Sequence, residues 1–262
     1  ELATDKVKSK SVLRRHGVPV ADALAVCRSH SDLSETLETA SRLDAFALKP
    51  NRGAQGNGIL IVTERDGDAF LTPGGRRLSK ADIYHHVCEI LAGSFSQDGK
   101  EDIALIEPLL RQHAQLDQIA QLGLADIRVI LHERRILSAM LRMPTRVSGG
   151  KANLHQGAIG LAIDLVSGRV THASMKGKTI EAHPDTQVPL VGFPLPYWRE
   201  ILEISRNASR AIPLGYIGVD ICVDQARGPI VLEVNGRPGI EIQNVQKRGL
   251  FSPSNEGMLG YV

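Results

Sequence analysis

Aromatic residues are scarce in this chain, at 4% of 262 residues with a single Trp. Proteins that hold single-stranded nucleic acid stack bases on aromatic side chains, and there are too few here to build such a platform. An excess of one charge is lacking too: 31 Lys and Arg against 29 Asp and Glu leave a net +2, which steers neither nucleic acid nor a membrane surface strongly. Cysteines number three, Cys27, Cys88 and Cys222. An odd, scattered set argues against a disulfide framework or a zinc site and suits a reducing, cytoplasmic setting. No apolar run approaches the ~18 residues of a membrane span, and no signal-peptide pattern opens the chain. The first residue is Glu1 rather than Met, so a preceding segment is expected. What remains is an ordinary globular composition, 42% apolar and 23% charged, long enough for one large or two modest domains.

The most informative stretch runs from Gly215 to Glu241, GYIGVDICVDQARGPIVLEVNGRPGIE. Two β-rich runs, Tyr216 to Val223 and Pro229 to Val234, flank a polar break and predict an antiparallel hairpin. A turn centred between Ala226 and Arg227 sets Asp220 opposite Glu233. Asn235 follows on the same face, because side chains alternate with period two. Both acids sit in aliphatic runs, where an unpaired buried carboxylate is costly. Two carboxylates and a carboxamide oxygen suit a hard cation such as Mg²⁺, with Mn²⁺ as a possible substitute, and Mg²⁺ completes its shell with water and phosphate. A Mg-nucleotide site is the expectation; the plain alternative is a set of solvated hairpin charges.

Taken in order, Asp5 to His16 predicts a basic helix stopped by Gly17, and Ser31 to Leu43 a second helix. Strands are expected over Ala45 to Lys49 and Ile59 to Thr63, joined by a glycine-rich loop. Glycines let backbone N–H groups close on phosphate oxygens while Lys49 adds a point charge. That loop is a weak signal alone, and it is neither a Walker A nor a Rossmann fingerprint. Ser79 to Phe95 opens with a capping box and reads as an amphipathic helix, with His85 and His86 as surface or packing residues. Beyond the strand Ile103 to Glu107, the Gln-rich stretch Gln112 to Leu124 reads as a surface excursion without clear period. Strands then follow over Ala125 to His132, Arg135 to Arg142 and Ile159 to Asp164, a short hairpin over Arg169 to Pro189, and a helix over Pro196 to Ile212.

The ordered set is specific: Asp5-Lys6, Lys49 with GAQGNG, Glu107, Asp126-Ile127-Arg128, Arg142, Asn153-Leu154-His155-Gln156-Gly157, Asp220, and Glu233-Val234-Asn235 before Pro238-Gly239. Together with LRMPTR, GKANLHQGAIG and LEVNGRPG it resembles the ATP-grasp carboxylate-amine ligases, and within them the RimK-related α-L-glutamate ligase-like, or sugar-transfer-associated, group. The resemblance spans nearly the whole chain. It implies an α+β fold in which two α/β lobes with largely antiparallel sheets clasp ATP, the lobes here being residues 1–106 and 107–262. By the same resemblance, Lys6 and Lys49 contact ATP phosphates, and Gly53, Gly56 and Gly58 form the mobile loop over them. Glu107 and Leu109 bind adenine through the interlobe linker, where Pro108 has no N–H to give. Asp126 contacts the nucleotide; Arg142, Lys151 and Asn153 face the γ-phosphate and the acyl phosphate; and Asp220, Glu233 and Asn235 hold the metal.

Three departures stand out. Lys151 replaces an arginine of the RimK-type enzymes, keeping the charge but losing the bidentate fork. The connector between Glu107 and Asp126 is longer, and the domain that usually precedes the unit is expected to be missing from this sequence or reduced to a few residues. The implied activity is ligation of a carboxylate to an amine through an acyl phosphate, with glutamate or a similar amino acid joined to a peptide, protein or small-molecule acceptor. A nucleotide-binding scaffold or sensor of the same fold is the alternative. Arg128 and Arg237 are candidates to hold a substrate carboxylate unless Asp126 or Glu241 pairs with them, and His155 stays open between packing and phosphate contact.

Overall fold

The computed structural model describes residues 2–53, 56–96 and 98–250. Ala54 and Gln55 of the expected phosphate loop, and 251–262 of the expected second lobe, lie outside the described residues. The chain has an α+β architecture of largely antiparallel sheets in two compact units, one comprising Thr4–Val7 and Ala21–Leu109, the other Glu1–Ala3, Lys8–Val20 and Leu110–Val262. The smaller unit ends at Leu109. The opening helix α1 (Lys6–Arg15) contributes Leu13 to the core of the larger unit, joined by Val18 and Val20 beyond its end.

In the smaller unit, β1 (Ala25–Cys27), α2 (Leu33–Arg42), β2 (Phe46–Pro50) and β3 (Leu60–Val62) precede a three-stranded sheet of β4 (Glu64–Asp66), β5 (Ala69–Leu71) and β6 (Arg77–Leu78). Helix α3 (Lys80–Leu91) and β7 (Ala104–Pro108) follow, and the main sheet has the order β1-β7-β2-β3. Helix α3 starts where the capping box predicts: Ser79 Oγ accepts from the Asp82 N–H at 3.2 Å, and the Ser79 N–H donates to Asp82 Oδ2 at 2.7 Å. It buries Ile83, Val87, Ile90 and Leu91 and ends there, four residues short of the expected Phe95. Ser79→Ala is expected to cost about 1 kcal/mol, measurable by urea denaturation; an unchanged midpoint would show the cap to be replaceable by water.

The larger unit opens with α4 (Ala114–Asp117), inside the stretch expected to be a surface excursion. That expectation is corrected, since Leu116, Ile119 and Ala120 are buried in the core. Gln112 also ties the segment down, donating to Ala120 O at 2.8 Å and accepting from the Ala125 N–H at 2.6 Å. Next come β8 (Asp126–His132), β9 (Arg135–Met143), β10 (Ile159–Ile163), β11 (Val170–Met175), β12 (Lys178–Thr179), α5 (Trp198–Ala211), β13 (Tyr216–Asp224), β14 (Gly228–Asn235) and α6 (Glu241–Gln246). Seven strands pair antiparallel in the order β12-β11-β10-β9-β8-β13-β14. One sheet face packs Ile127, Val129, Leu141, Ile217, Val219 and Ile221 in the same core as Ile201 and Ala208 of α5. The opposite face carries a smaller cluster, Ile130, Met140 and Ala162 with Ile242 and Val245 of α6, and beyond it the charged residues.

Candidate functional site

Antiparallel register decides which side chains share the open face, because directly paired residues point the same way. One row runs Glu233, Asp220, Arg128, Met140, Ala162, His172 across six strands. Beside it runs a second, Asp126, Arg142, Gly160, Ser174. Asp220 thus lies opposite Glu233 as expected, although the turn differs: Asp224 pairs with Gly228 across a three-residue loop, half a residue from the expected centre. A bulge that leaves Leu232 without a partner between the Asp220–Glu233 and Ile221–Val231 pairs restores the register. It also puts Val231 and Val234 into the core while Glu233 and Asn235 face away from it.

At the crossing of the two rows, four charges neutralise one another. Arg142 donates to Asp126 through Nε at 2.5 Å and Nη2 at 2.6 Å, and to Asp220 Oδ2 at 2.9 Å. Arg128 grips Asp220 through Nε at 2.7 Å and Nη2 at 2.6 Å. Both arginines keep Nη1 without a hydrogen bond among the described residues. Within the protein Arg128 pairs with Asp220, across the β8–β13 ladder, rather than with Asp126. Arg237 is exposed.

Burial raises carboxylate pKa values, but the two guanidiniums outweigh it at Asp220 and hold that group well below the ordinary range. Among the described residues Asp126 is hydrogen-bonded by Arg142 alone, and desolvation wins there, pushing its pKa up to about 6. A carboxyl-carbon NMR titration is therefore expected to find Asp126 protonating near pH 6. Its raised folded value means that its contribution to stability is present below the ordinary 3.8 and lost as pH rises through about 6. Asp220 has the opposite sign, its contribution being present above the ordinary value and lost as pH falls below it. Titration of Asp126 near 4 would show that water reaches the pair.

Asn235 Nδ2 lies 3.1 Å from Asp220 Oδ2 and 3.2 Å from Glu233 Oε1, so the positive end of an amide dipole stands between two converging carboxylates. Oxygen donors arranged around one such point fit a hard divalent cation. Asp220, Glu233 and Asn235 are the residues that would hold it.

Loop 144–157 is built as a framework, which the sequence did not disclose. Thr145 Oγ1 donates to Gly157 O at 2.8 Å and accepts from the Ser148 N–H at 3.1 Å, and Ser148 Oγ returns to Thr145 O at 2.9 Å. The buried His183 accepts from the Asp185 N–H at Nδ1, which leaves Nε2–H to donate to Pro144 O at 2.9 Å. Asn153 caps the 3₁₀ turn Leu154–Gln156 by accepting from the His155 N–H at 3.0 Å, while Lys151 and His155 are exposed.

The smaller unit carries both lysines. Lys6 Nζ donates to Asn51 O at 3.2 Å and Gly53 O at 2.7 Å, clasping the first residues of the glycine loop. Lys49 Nζ meets Glu107 at 2.5 Å, the two lying on one face of the β2–β7 ladder, so the Glu107 carboxylate is engaged with a lysine. Leu109 is half-buried just past the end of β7. Gly56 and Gly58 both have a φ of +75°, and a Cβ on Gly58 would fall 2.4 Å from Phe95, so that turn excludes other residues. His86 closes the loop's far end, bonding Gly58 O through Nε2 at 2.9 Å beside Phe95, a packing role as expected.

The family described as sugar-transfer associated ATP-grasp matches residues 1–256. This chain belongs to that family. A sugar-transfer associated ATP-grasp chain of this kind is similar to "Probable alpha-L-glutamate ligase" of Xanthomonas oryzae pv. oryzae, 23% identical over 239 residues that cover 91% of this chain and 58% of the relative. The protein so named in Coxiella burnetii is 49% identical over 49 residues, 18% of this chain and 16% of its own length. The chain thus spans less than two thirds of the relatives it matches. Among solved structures, a Campylobacter jejuni biotin carboxylase complexed with β,γ-ATP has TM-score 0.54 at 17% identity, covering 94% of this chain and 43% of that one. The biotin carboxylase domain of Hydrogenobacter thermophilus 2-oxoglutarate carboxylase, complexed with MgADP, has TM-score 0.51 at 16% identity, covering 94% and 44%. These likenesses establish the ATP-grasp fold. Among the described residues, no helix is long and apolar enough to cross a membrane.

Proposed function

We propose that this ATP-grasp protein is an ATP- and Mg²⁺-dependent, ADP-forming ligase that joins a carboxylate to an amine, adding glutamate or a similar amino acid to a peptide, protein or small-molecule acceptor. The observation that carries the reading is the meeting, on one sheet face, of the Asp220–Glu233–Asn235 donor set with two arginines that each keep Nη1 for an anion. The relatives' names and the nucleotides of the similar structures support it.

A carboxylate cannot acylate an amine directly, because oxide is too poor a leaving group. Its oxygen attacks the γ-phosphorus of ATP, and the bond to the bridging oxygen breaks to release ADP. The amine nitrogen then attacks the acyl carbon, phosphate departs, and the nitrogen gives up its proton. Mg²⁺, when bound, neutralises charge on the phosphoryl oxygens. The chain's own residues position and neutralise: in the larger unit Arg142 and Arg128 present Nη1 to the transferring group and the hydrogen-bonded loop 144–157 sets Lys151 and Asn153, while in the smaller unit Lys6 and Lys49, which here hold the glycine loop and Glu107, are the cations proposed for the nucleotide phosphates. No nucleophilic side chain is required.

ADP release with Mg-ATP over amino acids singly and in pairs, glutamate-ended peptides and amino sugars, with products read by mass spectrometry, tests the reading. Release that requires one carboxylate and one amine supports it. Tight nucleotide binding without turnover on any pair would replace it with a non-catalytic nucleotide-binding module.

A further inference from the structure

The connector 112–125 ends against the loop that carries Lys151, and both belong to the larger unit. A Cβ on Gly123 would fall 1.8 Å from Gly150 O and 2.7 Å from the Gly150 carbonyl carbon, so the two backbones touch with no side chain between them. Gly150 O and the Lys151 nitrogen belong to one planar peptide unit. Whatever pushes that oxygen therefore turns the backbone from which Lys151 projects.

Both sides of this contact are tied down. In the loop, the Gly150 N–H donates to Thr145 O at 3.1 Å and the Lys151 N–H to Ser148 O at 3.3 Å. In the connector, the Gln112 side chain bonds Ala120 O and the Ala125 N–H, on either side of Gly123, and Ile119 and Ala120 are buried in the core. A third segment fastens the other two: Thr186 Oγ1 donates to Ile119 O at 2.7 Å, Asp185 Oδ2 accepts from the Arg146 N–H at 2.7 Å, and His183 holds Pro144 O. Connector, loop and the turn 183–186 thus close a ring in which each is held by the other two. Lys151 is exposed, and its ammonium makes no hydrogen bond or salt bridge among the described residues. Only its backbone decides where that charge is presented.

We propose that Gly123 and Thr186 are positioning residues that act through Lys151, the ring holding the Gly150–Lys151 peptide so that the ammonium meets the γ-phosphate. This rests on the role given to Lys151 above and extends it to two residues with no charge of their own. A lysine presents a point charge without the planar fork by which an arginine fixes its own orientation, so its aim depends on the peptide that carries it. Accommodating a Cβ at Gly123 means parting the two backbones by about 1 Å, a misplacement that can cost ~100-fold in rate when it reaches a reacting group.

Affinities of the full chain for Mg-ATP and Mg-ADP, measured by calorimetry in a double-variant cycle of Gly123→Ala and Lys151→Met, test this without requiring turnover. Lys151→Met is expected to lower the preference for ATP over ADP by ~10-fold, the loss of one charge-assisted contact. Gly123→Ala should lower it in the same direction, and the double variant no further than Lys151→Met alone, because residues that act through one group are not additive. Thr186→Val, which removes the bond to Ile119, should repeat the result in its own cycle with Lys151→Met, and Thr186→Ser, which keeps the hydroxyl, should restore the parental preference. The Thr186 variants carry the test if Gly123→Ala does not fold. Effects that add in the double variants, equal losses of ATP and ADP affinity, a Thr186→Ser that behaves as Thr186→Val, or an unchanged preference in Lys151→Met would overturn the assignment. A non-additive loss of ATP preference, with no ADP release from any pair of carboxylate and amine, sinks the ligase reading and leaves the positioning role. ADP release with parental kcat and KM in folded Gly123→Ala and Thr186→Val does the reverse.

Discussion

Arg142→Met is expected to lower the unfolding free energy by about 3–5 kcal/mol, the cost of leaving a buried ion without its partner. The ion is Asp126, whose two oxygens, among the described residues, take their guanidinium bonds from Arg142 alone, whereas Asp220 retains Arg128. The loss should be largely undone by adding Asp126→Leu, because replacing both members of a buried pair by apolar residues of similar size is often neutral. Urea denaturation of the four proteins of this cycle measures the coupling. A single variant that loses less than about 1 kcal/mol, the range of solvent-exposed pairs, would show that the pair is wet and that its bidentate geometry matters for ligands rather than for folding.

Glu233→Gln should do the opposite, leaving stability within about 0.5 kcal/mol, as for substitutions away from packing and buried networks, while lowering ADP release on the order of 100-fold or more. Glutamine keeps the side-chain length and can still accept from Asn235, so the hairpin is undisturbed. What is lost is one negative charge at the point where Asn235 bridges two carboxylates, and the concentration of Mg²⁺ needed for half-maximal rate should rise with it. Undiminished turnover would return Glu233 to the status of a hairpin charge. A matching loss of stability would mean that the residue supports the sheet rather than the reaction.

Strong local patterns made much of this architecture legible. The alternation in Tyr216 to Val223 and Pro229 to Val234 placed Asp220 against Glu233, and Ser79 with Asp82 marked the start of α3. Some elements of two to four residues were invisible to periodicity: β1, β6 and α4 are shorter than one repeat of the pattern that would reveal them. For β4 and β5 a signal did exist in Asp66-Gly67-Asp68, a hairpin dipeptide between short apolar runs. The partner of Arg128 was beyond local reading, since it depends on β8 lying beside β13, strands separated by some ninety positions. Likewise nothing near Thr145 announces that His183 and Asp185 will steady its loop.

The unpaired Leu232 divides the hairpin into two reading frames. On the turn side Ile221 to Asp224 pair with Val231 to Gly228; on the far side Gly218 to Asp220 pair with Asn235 to Glu233, one residue out of step. A bulge that already absorbs one extra residue is where a change of length at Gln225 to Arg227 can be taken up without sliding Glu233 past Asp220. That turn is the place on this molecule to graft a fluorophore or an affinity tag without retuning the chemistry at the far end of the same two strands.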